Sequence, residues 1–134
     1  MQSAIFQHTI EVQPEDLDEL NHVNNVVYVR WVQEAAAAHW NALATEDIRN
    51  KYLWVVLRHE VDYKSPAFLH DVILAKTWVE DYDGARSNRR VQLIRREDNR
   101  ILTEAKTTWC LLNAQSQKPT RVGVDITDVF TSTK

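Results

Sequence analysis

One stretch governs what this chain can fold into. Between residues 25 and 44, apolar positions recur every three or four places, at Val27, Trp31, Ala35, Ala38 and Leu43. That is the period of an α-helix. In its first half apolar residues nearly surround the helix axis, so this helix has to be buried. Residues 35–38 are four consecutive alanines, which favour helix and let a neighbouring backbone approach closely. Asn24 or Asn25 is a natural N-cap, because a short amide side chain accepts from the first unpaired helical N–H groups. A second, shorter helical piece is expected over residues 45–52.

The rest of the sequence offers strands to cover that helix. Residues 4–13 alternate, with Phe6, His8, Ile10 and Val12 on one face and Gln7, Thr9 and Glu11 on the other, until Pro14 ends the ladder. After the helices, residues 53–64 set Val55, Leu57, His59, Val61 and Tyr63 against Val56, Arg58, Glu60 and Asp62. Residues 70–81 set Ile73, Ala75, Thr77 and Val79 against Leu74, Lys76 and Trp78. A turn at Tyr82-Asp83-Gly84-Ala85 leads into a strand over 86–97. A second turn at Asp98-Asn99 leads into a strand over 100–113, with Ile101, Thr103, Ala105, Thr107, Trp109 and Leu111 on one face. The layout is α+β, an antiparallel sheet wrapped around one long central helix. The 134 residues suit a single domain, 1–134, with a real core.

Composition removes several function classes. A formal charge of −3 gives no general attraction to nucleic acid. The one cysteine, Cys110, leaves no internal disulfide and suits a reducing compartment. No apolar run approaches the roughly 20 residues that cross a bilayer, and residues 1–10 lack the basic and apolar regions of a secretory signal. A cytoplasmic protein is expected. His39, His59 and His70 have no metal-ligand spacing, and there is no Gly-rich phosphate loop, so no metal and no nucleotide cofactor is expected. Five tryptophans are many for this length; they fit a chain that buries surface against a copy of itself. With only two glycines and three prolines, disorder is expected only in the tail, residues 131–134.

The chemistry concentrates just ahead of the long helix. Residues 16–28 read Asp-Leu-Asp-Glu-Leu-Asn-His-Val-Asn-Asn-Val-Val-Tyr. A helix start presents unpaired N–H groups and positive partial charge, and such a place can stabilise an oxyanion. A carboxylate beside it can act as general base or nucleophile. Asp18 is the strongest candidate for that carboxylate. Asp16 suits the supporting task of bonding loop N–H groups. His22 titrates near neutrality and could orient a carbonyl or a water, or be bonded to backbone. Asn24 and Asn25 combine a capping task with an amide free to meet substrate, and the backbone N–H groups of residues 24–27 are the oxyanion-hole candidates. Tyr28 is either a core aromatic or a pocket wall. Arg86, Arg89 and Arg90 crowd one hairpin strand, either as a solvated face or as a cluster for phosphate groups.

This run resembles the Asp-x-Asp-x-x-x-His-Val-Asn-Asn-x-x-Tyr segment of hotdog-fold thioesterases. It is most similar to the 4-hydroxybenzoyl-CoA thioesterase-like branch, and plant acyl-ACP thioesterases carry a similar His-Val-Asn-Asn run. Lys118-Pro119-Thr120-Arg121-Val122 with Ile126 and Phe130 resembles the closing segment of the same family, so the likeness spans almost the whole chain. The resemblance implies a hotdog fold and hydrolysis of an acyl thioester of CoA, or of acyl carrier protein, with no cofactor. It implies that Asp18, the second acid of the pair, is the catalytic carboxylate. Leu20 stands where the plant enzymes have Asn, so an Asp-Asn-His trio does not carry over. Related sheets pair side by side, which implies a homodimer or homotetramer with the site at a subunit interface. The alternatives within the fold are a dehydratase or hydratase and a non-catalytic acyl-CoA-binding protein.

Overall fold

The computed structural model describes residues 3–131. Five strands form one antiparallel sheet: β1 (Phe6–Glu11), β2 (Tyr52–Tyr63), β3 (Val72–Asp83), β4 (Arg86–Arg95) and β5 (Arg100–Asn113), in the order β1-β3-β4-β5-β2. The long helix α1 (Asn25–Leu43) lies across one face of this sheet, between β1 at one edge and β2 at the other. A short α2 (Glu46–Lys51) links α1 to β2, capped by the Thr45 hydroxyl. A third helix, α3 (Val124–Thr131), closes the chain. The expected α+β layout is therefore present.

The core sits where the apolar stripe of α1 meets the sheet. Val27, Tyr28, Trp31, Val32 and Ala35 pack on Ile10, Ile73, Ala75, Val91, Leu93 and Ala105. Ala35 is fully buried, and its lack of a longer side chain lets α1 approach the strands. α3 seals the other end of the same face. Its Ile126 and Phe130 join Val79 and Leu111 in a second cluster.

Strand alternation holds along β1 and β4 but breaks in β2, in β5 and near the end of β3, where the register shifts between Val79 and Asp81. In β2 the register shifts between Val56 and Arg58, so Leu57 is an extra residue. A bulge of this kind reverses the phase of the pleat. His59 and Val61 turn toward α1 as expected, but Val55 and Leu57 are exposed while Trp54 and Val56 take the inner face. A second shift at Leu93/Ile94 inserts Leu102 into β5, which buries Leu102 and leaves Ile101 outside. The β3–β4 hairpin closes over Gly84 and Ala85, with Gly84 at φ +60 supplying the left-handed conformation a two-residue turn needs.

Two further expectations change. Helix α1 is buried along one stripe only, with Val26, Gln33 and Ala37 exposed on its other side. Thr131 belongs to α3 rather than to a loose tail; the other tail residues, 132–134, lie outside the described residues. The closing segment is helical because Ile126 and Phe130, four apart, share one face that the sheet buries. No helix among the described residues is long and apolar enough to cross a membrane.

Candidate active site at the start of the central helix

The acidic run folds into a closed loop on the N-terminus of α1. Pro14–Asp16 makes a single 3-10 turn. Leu17 then bridges to Val23, and Asp18 N–H donates to the His22 carbonyl at 2.7 Å. Asn21 takes a positive φ of 61 at the loop tip, a conformation that Asn tolerates better than most residues. Val23 N–H donates to the Ala67 carbonyl, which ties the loop to the segment between β2 and β3.

The two carboxylates have different environments. Asp16 is buried. Its Oδ2 accepts from Gln13 N–H at 2.9 Å and its Oδ1 accepts from Arg30 Nη2 at 2.8 Å, while its carbonyl takes the N–H of Asn24. Every polar part of Asp16 holds structure. Asp18 is half-exposed. Its Oδ1 accepts from the N–H groups of Leu20 at 2.8 Å and His22 at 3.2 Å. Its Oδ2 has no protein donor among the described residues. One oxygen fixes the carboxylate's orientation and the other is available for chemistry.

The helix start adds donors, though fewer than the sequence suggests. Asn24 is the N-cap, and its Oδ1 accepts from Val26 N–H at 3.1 Å. Val27 N–H donates to the Asn24 carbonyl, and Asn24 N–H to the Asp16 carbonyl. Of residues 24–27, only the N–H of Asn25 is left without a protein acceptor among the described residues. The exposed Asn25 side chain stands beside it. The imidazole of His22 packs edge-on against Phe68, centroids 5.4 Å apart, and makes no side-chain hydrogen bond among the described residues.

Tyr28 anchors the loop from below. It is buried, and its phenol oxygen accepts from Ala67 N–H at 2.8 Å. Burial pushes the phenol's pKa up, and the negative charges of Asp18 and Asp71 add to that effect. Asp18 therefore lies within electrostatic reach of the phenol, which stays neutral. Val61, Ala67 and Tyr63 surround Tyr28 within the core or against its ring.

A cavity of about 330 Å³ opens at the other end of α1. Ala36, Ala37 and Trp40 line it from the helix, and Trp54, Trp109 and Phe130 from the far side. Three of the five tryptophans are thus committed to one chamber; Trp31 is in the core and Trp78 lies half-buried on β3. Arg89 lines the same cavity and is 5% exposed. Its Nη1 donates to His39 Nδ1 and to Thr77 Oγ1, each at 2.9 Å, and its guanidinium lies 5.4 Å over the Phe130 ring. Burial, and then the Arg89 charge, push the His39 pKa down to about 3, so His39 is neutral and accepts.

The expected arginine cluster does not form. Alternation along β4 sends Arg89 inward with Ser87 and Val91, while Arg86 and Arg90 take the opposite face. Arg86 is exposed, and Arg90 is held by Glu80 at 2.9 Å. Arg89 points inside the fold and cannot join them. The loop residues Asp18, His22, Asn24, Asn25 and Tyr28 do come together. The cavity was not foreseen from sequence, because its wall is assembled from α1, α2, three strands of the sheet (β2, β4 and β5) and α3, which are far apart in the chain. The one local clue was the phase of Arg89 among buried β4 residues.

Comparison with known proteins agrees with this architecture. The family model described as the Thioesterase-like superfamily matches residues 12–130. The long-chain acyl-CoA thioesterase FadM of Escherichia coli (strain K12) is 26% identical over 119 residues, covering 84% of this chain and 87% of the relative. Among solved structures, the probable thioesterase YbaW from Escherichia coli superposes with a TM-score of 0.78 at 20% identity, over 92% of this chain and 94% of the other. Slr0204, a 1,4-dihydroxy-2-naphthoyl-CoA thioesterase from Synechocystis, superposes with a TM-score of 0.82 at 15% identity, over 95% and 96%. The fold is the hotdog fold.

Proposed function

We propose a function from one premise: the chain belongs to the thioesterase-like superfamily. It is a hydrolase that cleaves an acyl thioester of CoA, with acyl carrier protein as the second carrier, to free acid and thiol. The observation that carries the reading is the state of Asp18. One oxygen is fixed by two backbone N–H groups, the other is free, and an unpaired N–H at a helix start lies at the end of the same loop.

The chemistry follows from those groups. Asp18 Oδ2 takes a proton from a water, and the hydroxide adds to the thioester carbonyl carbon. The carbonyl oxygen becomes an oxyanion beside Asn25 N–H, where the helix N-terminus favours negative charge. Collapse breaks the C–S bond, and the proton held by Asp18 passes to the departing thiolate. If Asp18 attacks the carbon itself, the C–S bond breaks, the thiolate departs and takes a proton from solvent, and an anhydride forms; water then adds to one of its carbonyl carbons and releases the acid. Single turnover in isotopically labelled water identifies the second route when water adds at the Asp18 carbonyl carbon, since that addition alone puts the label into Asp18. His22 and the Asn25 amide lie at the rim, where they contact the thioester. Tyr28 holds the loop through Ala67.

The site is completed by a second copy. From Asn25 to His39 the axis of α1 advances roughly 20 Å at 1.5 Å per residue, so one chain's Asp18 and cavity lie at opposite ends of the helix. β2 is a twelve-residue edge strand with Leu53, Val55 and Leu57 exposed, a ready template for strand pairing. The Tyr63 side of β2 lies at the helix start, where Tyr63 OH donates to the Asn25 carbonyl at 3.4 Å, and its Tyr52 side lines the cavity. Antiparallel pairing of two β2 edges would set the acidic loop of one copy beside the cavity of the other. The acyl group then enters the tryptophan-lined chamber of the partner. Arg86 is the one arginine of the three still free to meet a CoA phosphate. Arg86→Ala should raise KM for an acyl-CoA and leave that for the matching acyl-pantetheine unchanged; equal effects on both would remove it from the carrier site.

The deciding assay is thiol release from short, medium, long and aromatic acyl-CoAs. Turnover of at least one is expected. Binding of acyl-CoAs without release would make the chain a non-catalytic binder.

A further inference from the structure

The cavity at the far end of α1 has a chemical character that simple acyl binding does not require. Among the described residues its only charged lining residues are Arg49 and Arg89, and no carboxylate of those residues lines it. Arg49 donates to the Ala44 carbonyl at the helix end. Arg89 is different, because it is almost fully buried and has no acidic partner. Buried charges are ordinarily paired. Of its five N–H donors, two are used by His39 and Thr77, and those on Nε and Nη2 have no protein acceptor among the described residues. Trp109 Nε1, in the same wall, is also buried without a partner. The surrounding surface is aromatic and aliphatic. Apart from the Asn41 amide and the Ser87 hydroxyl, the unspent polar groups are donors, and the one buried charge is positive.

The geometry points to a subsite for an organic anion with an apolar body: the carboxylate against Arg89 and Trp109 Nε1, the body among Ala37, Trp40, Trp54 and Phe130. At roughly 30 Å³ for each water-sized atom, the cavity holds about ten non-hydrogen atoms, the size of an eight-carbon acid. The anion arrives either as a free acid or as the distal end of an acyl group. The second route rests on the hydrolase reading; the first does not.

Two arms test the subsite and separate the sources. In the first, octanoate and octanamide are titrated into the full chain while tryptophan emission is followed, since three tryptophans line the site. In the second, octanoyl-CoA and the CoA monothioester of octanedioic acid are compared by kcat/KM. A tenfold or greater preference for the anionic ligand in either arm supports the subsite and identifies its source. Arg89→Met should abolish that preference. Arg89 is a core residue, so Ala37→Phe serves as the second variant; it plugs the chamber from an exposed helix position and should remove binding of acid and amide together. Equal affinity for octanoate and octanamide, together with equal kcat/KM for the two thioesters, would overturn the proposal. Failure of every thioester to react would count against the hydrolase reading and leave the first arm to decide the subsite.

Discussion

The two ends of α1 handle polar groups in opposite ways. At the N-terminal end, Asp18, Asn24 and Asn25 stay at the surface, and their geometry is set by backbone N–H and C=O groups only a few residues away. Toward the C-terminal end, Arg89 and His39 are buried, and their geometry is set by side chains from β3, β4 and α3. The first arrangement leaves a reactive oxygen in contact with solvent and substrate. The second encloses a donor-rich chamber that contains no base. The proposed function divides reaction and recognition between the two ends of one helix, with neither end sufficient by itself.

The sharpest way to break that comparison is to remove the base. Asp18→Asn should keep the fold, because an amide oxygen can still accept from Leu20 and His22. It should cut kcat by about 100-fold or more, the scale of general-base loss. Near wild-type turnover would move the chemistry away from this loop.

The next largest effect should come from the edge that joins the two ends across copies. Val55→Lys with Leu57→Lys places charge on the exposed β2 edge, where charge blocks strand pairing. Light scattering should report a dimer or tetramer for the unaltered protein and a monomer near 15.6 kDa for this variant. Activity should fall by about tenfold or more, as expected when half of a composite site is lost. A fully active monomer would remove the composite site.

Tyr28 distinguishes support from chemistry at the N-terminal end. Tyr28→Phe leaves Ala67 N–H buried without its acceptor, a loss of about 1–3 kcal/mol, readable by urea denaturation. The kcat of the folded variant should fall far less than that of Asp18→Asn. A loss as large as that of the Asp18 variant would make the phenol part of the reaction.

The last effect is absent at neutral pH and concerns the C-terminal end and its response to acid. His39 titrates near 3 when folded, against an ordinary 6.5. The unfolded chain therefore takes up a proton that the folded chain refuses as pH falls through that window. Stability due to neutral His39 is fully present above about 6.5 and is lost toward 3, at up to about 1.4 kcal/mol per pH unit. His39→Gln should flatten that slope. An unchanged slope would assign the acid sensitivity elsewhere.

The same contrast explains what could be read from sequence. The acidic loop was readable because its contacts are local: Asp18 bonds Leu20 and His22, and Asn24 bonds Val26. Helix α1 was readable because its apolar stripe repeats at one period over many residues. The inner face of β2 was half readable. One extra residue at Leu57 reversed the phase, and nothing in a run of alternating apolar residues marks where a bulge will fall. The cavity was not readable at all, since it depends on which face each distant strand turns inward. Arg89 shows the reason most clearly. Beside Arg86 and Arg90 it looks like part of a surface charge cluster, yet strand parity places it in the core.

The division between base and chamber is tested most directly by mixing two inactive variants. Asp18→Asn keeps the chamber and lacks the base; Ala37→Phe keeps the base and has its chamber plugged. If the loop of one copy serves the chamber of its partner, a mixed dimer contains one complete site out of two. An equal mixture, unfolded and refolded together, should then recover about a quarter of wild-type activity, as random assembly around a two-fold axis requires. If base and chamber act within one chain, no chain in the mixture has both. Activity no higher than that of the separate variants would contradict the account.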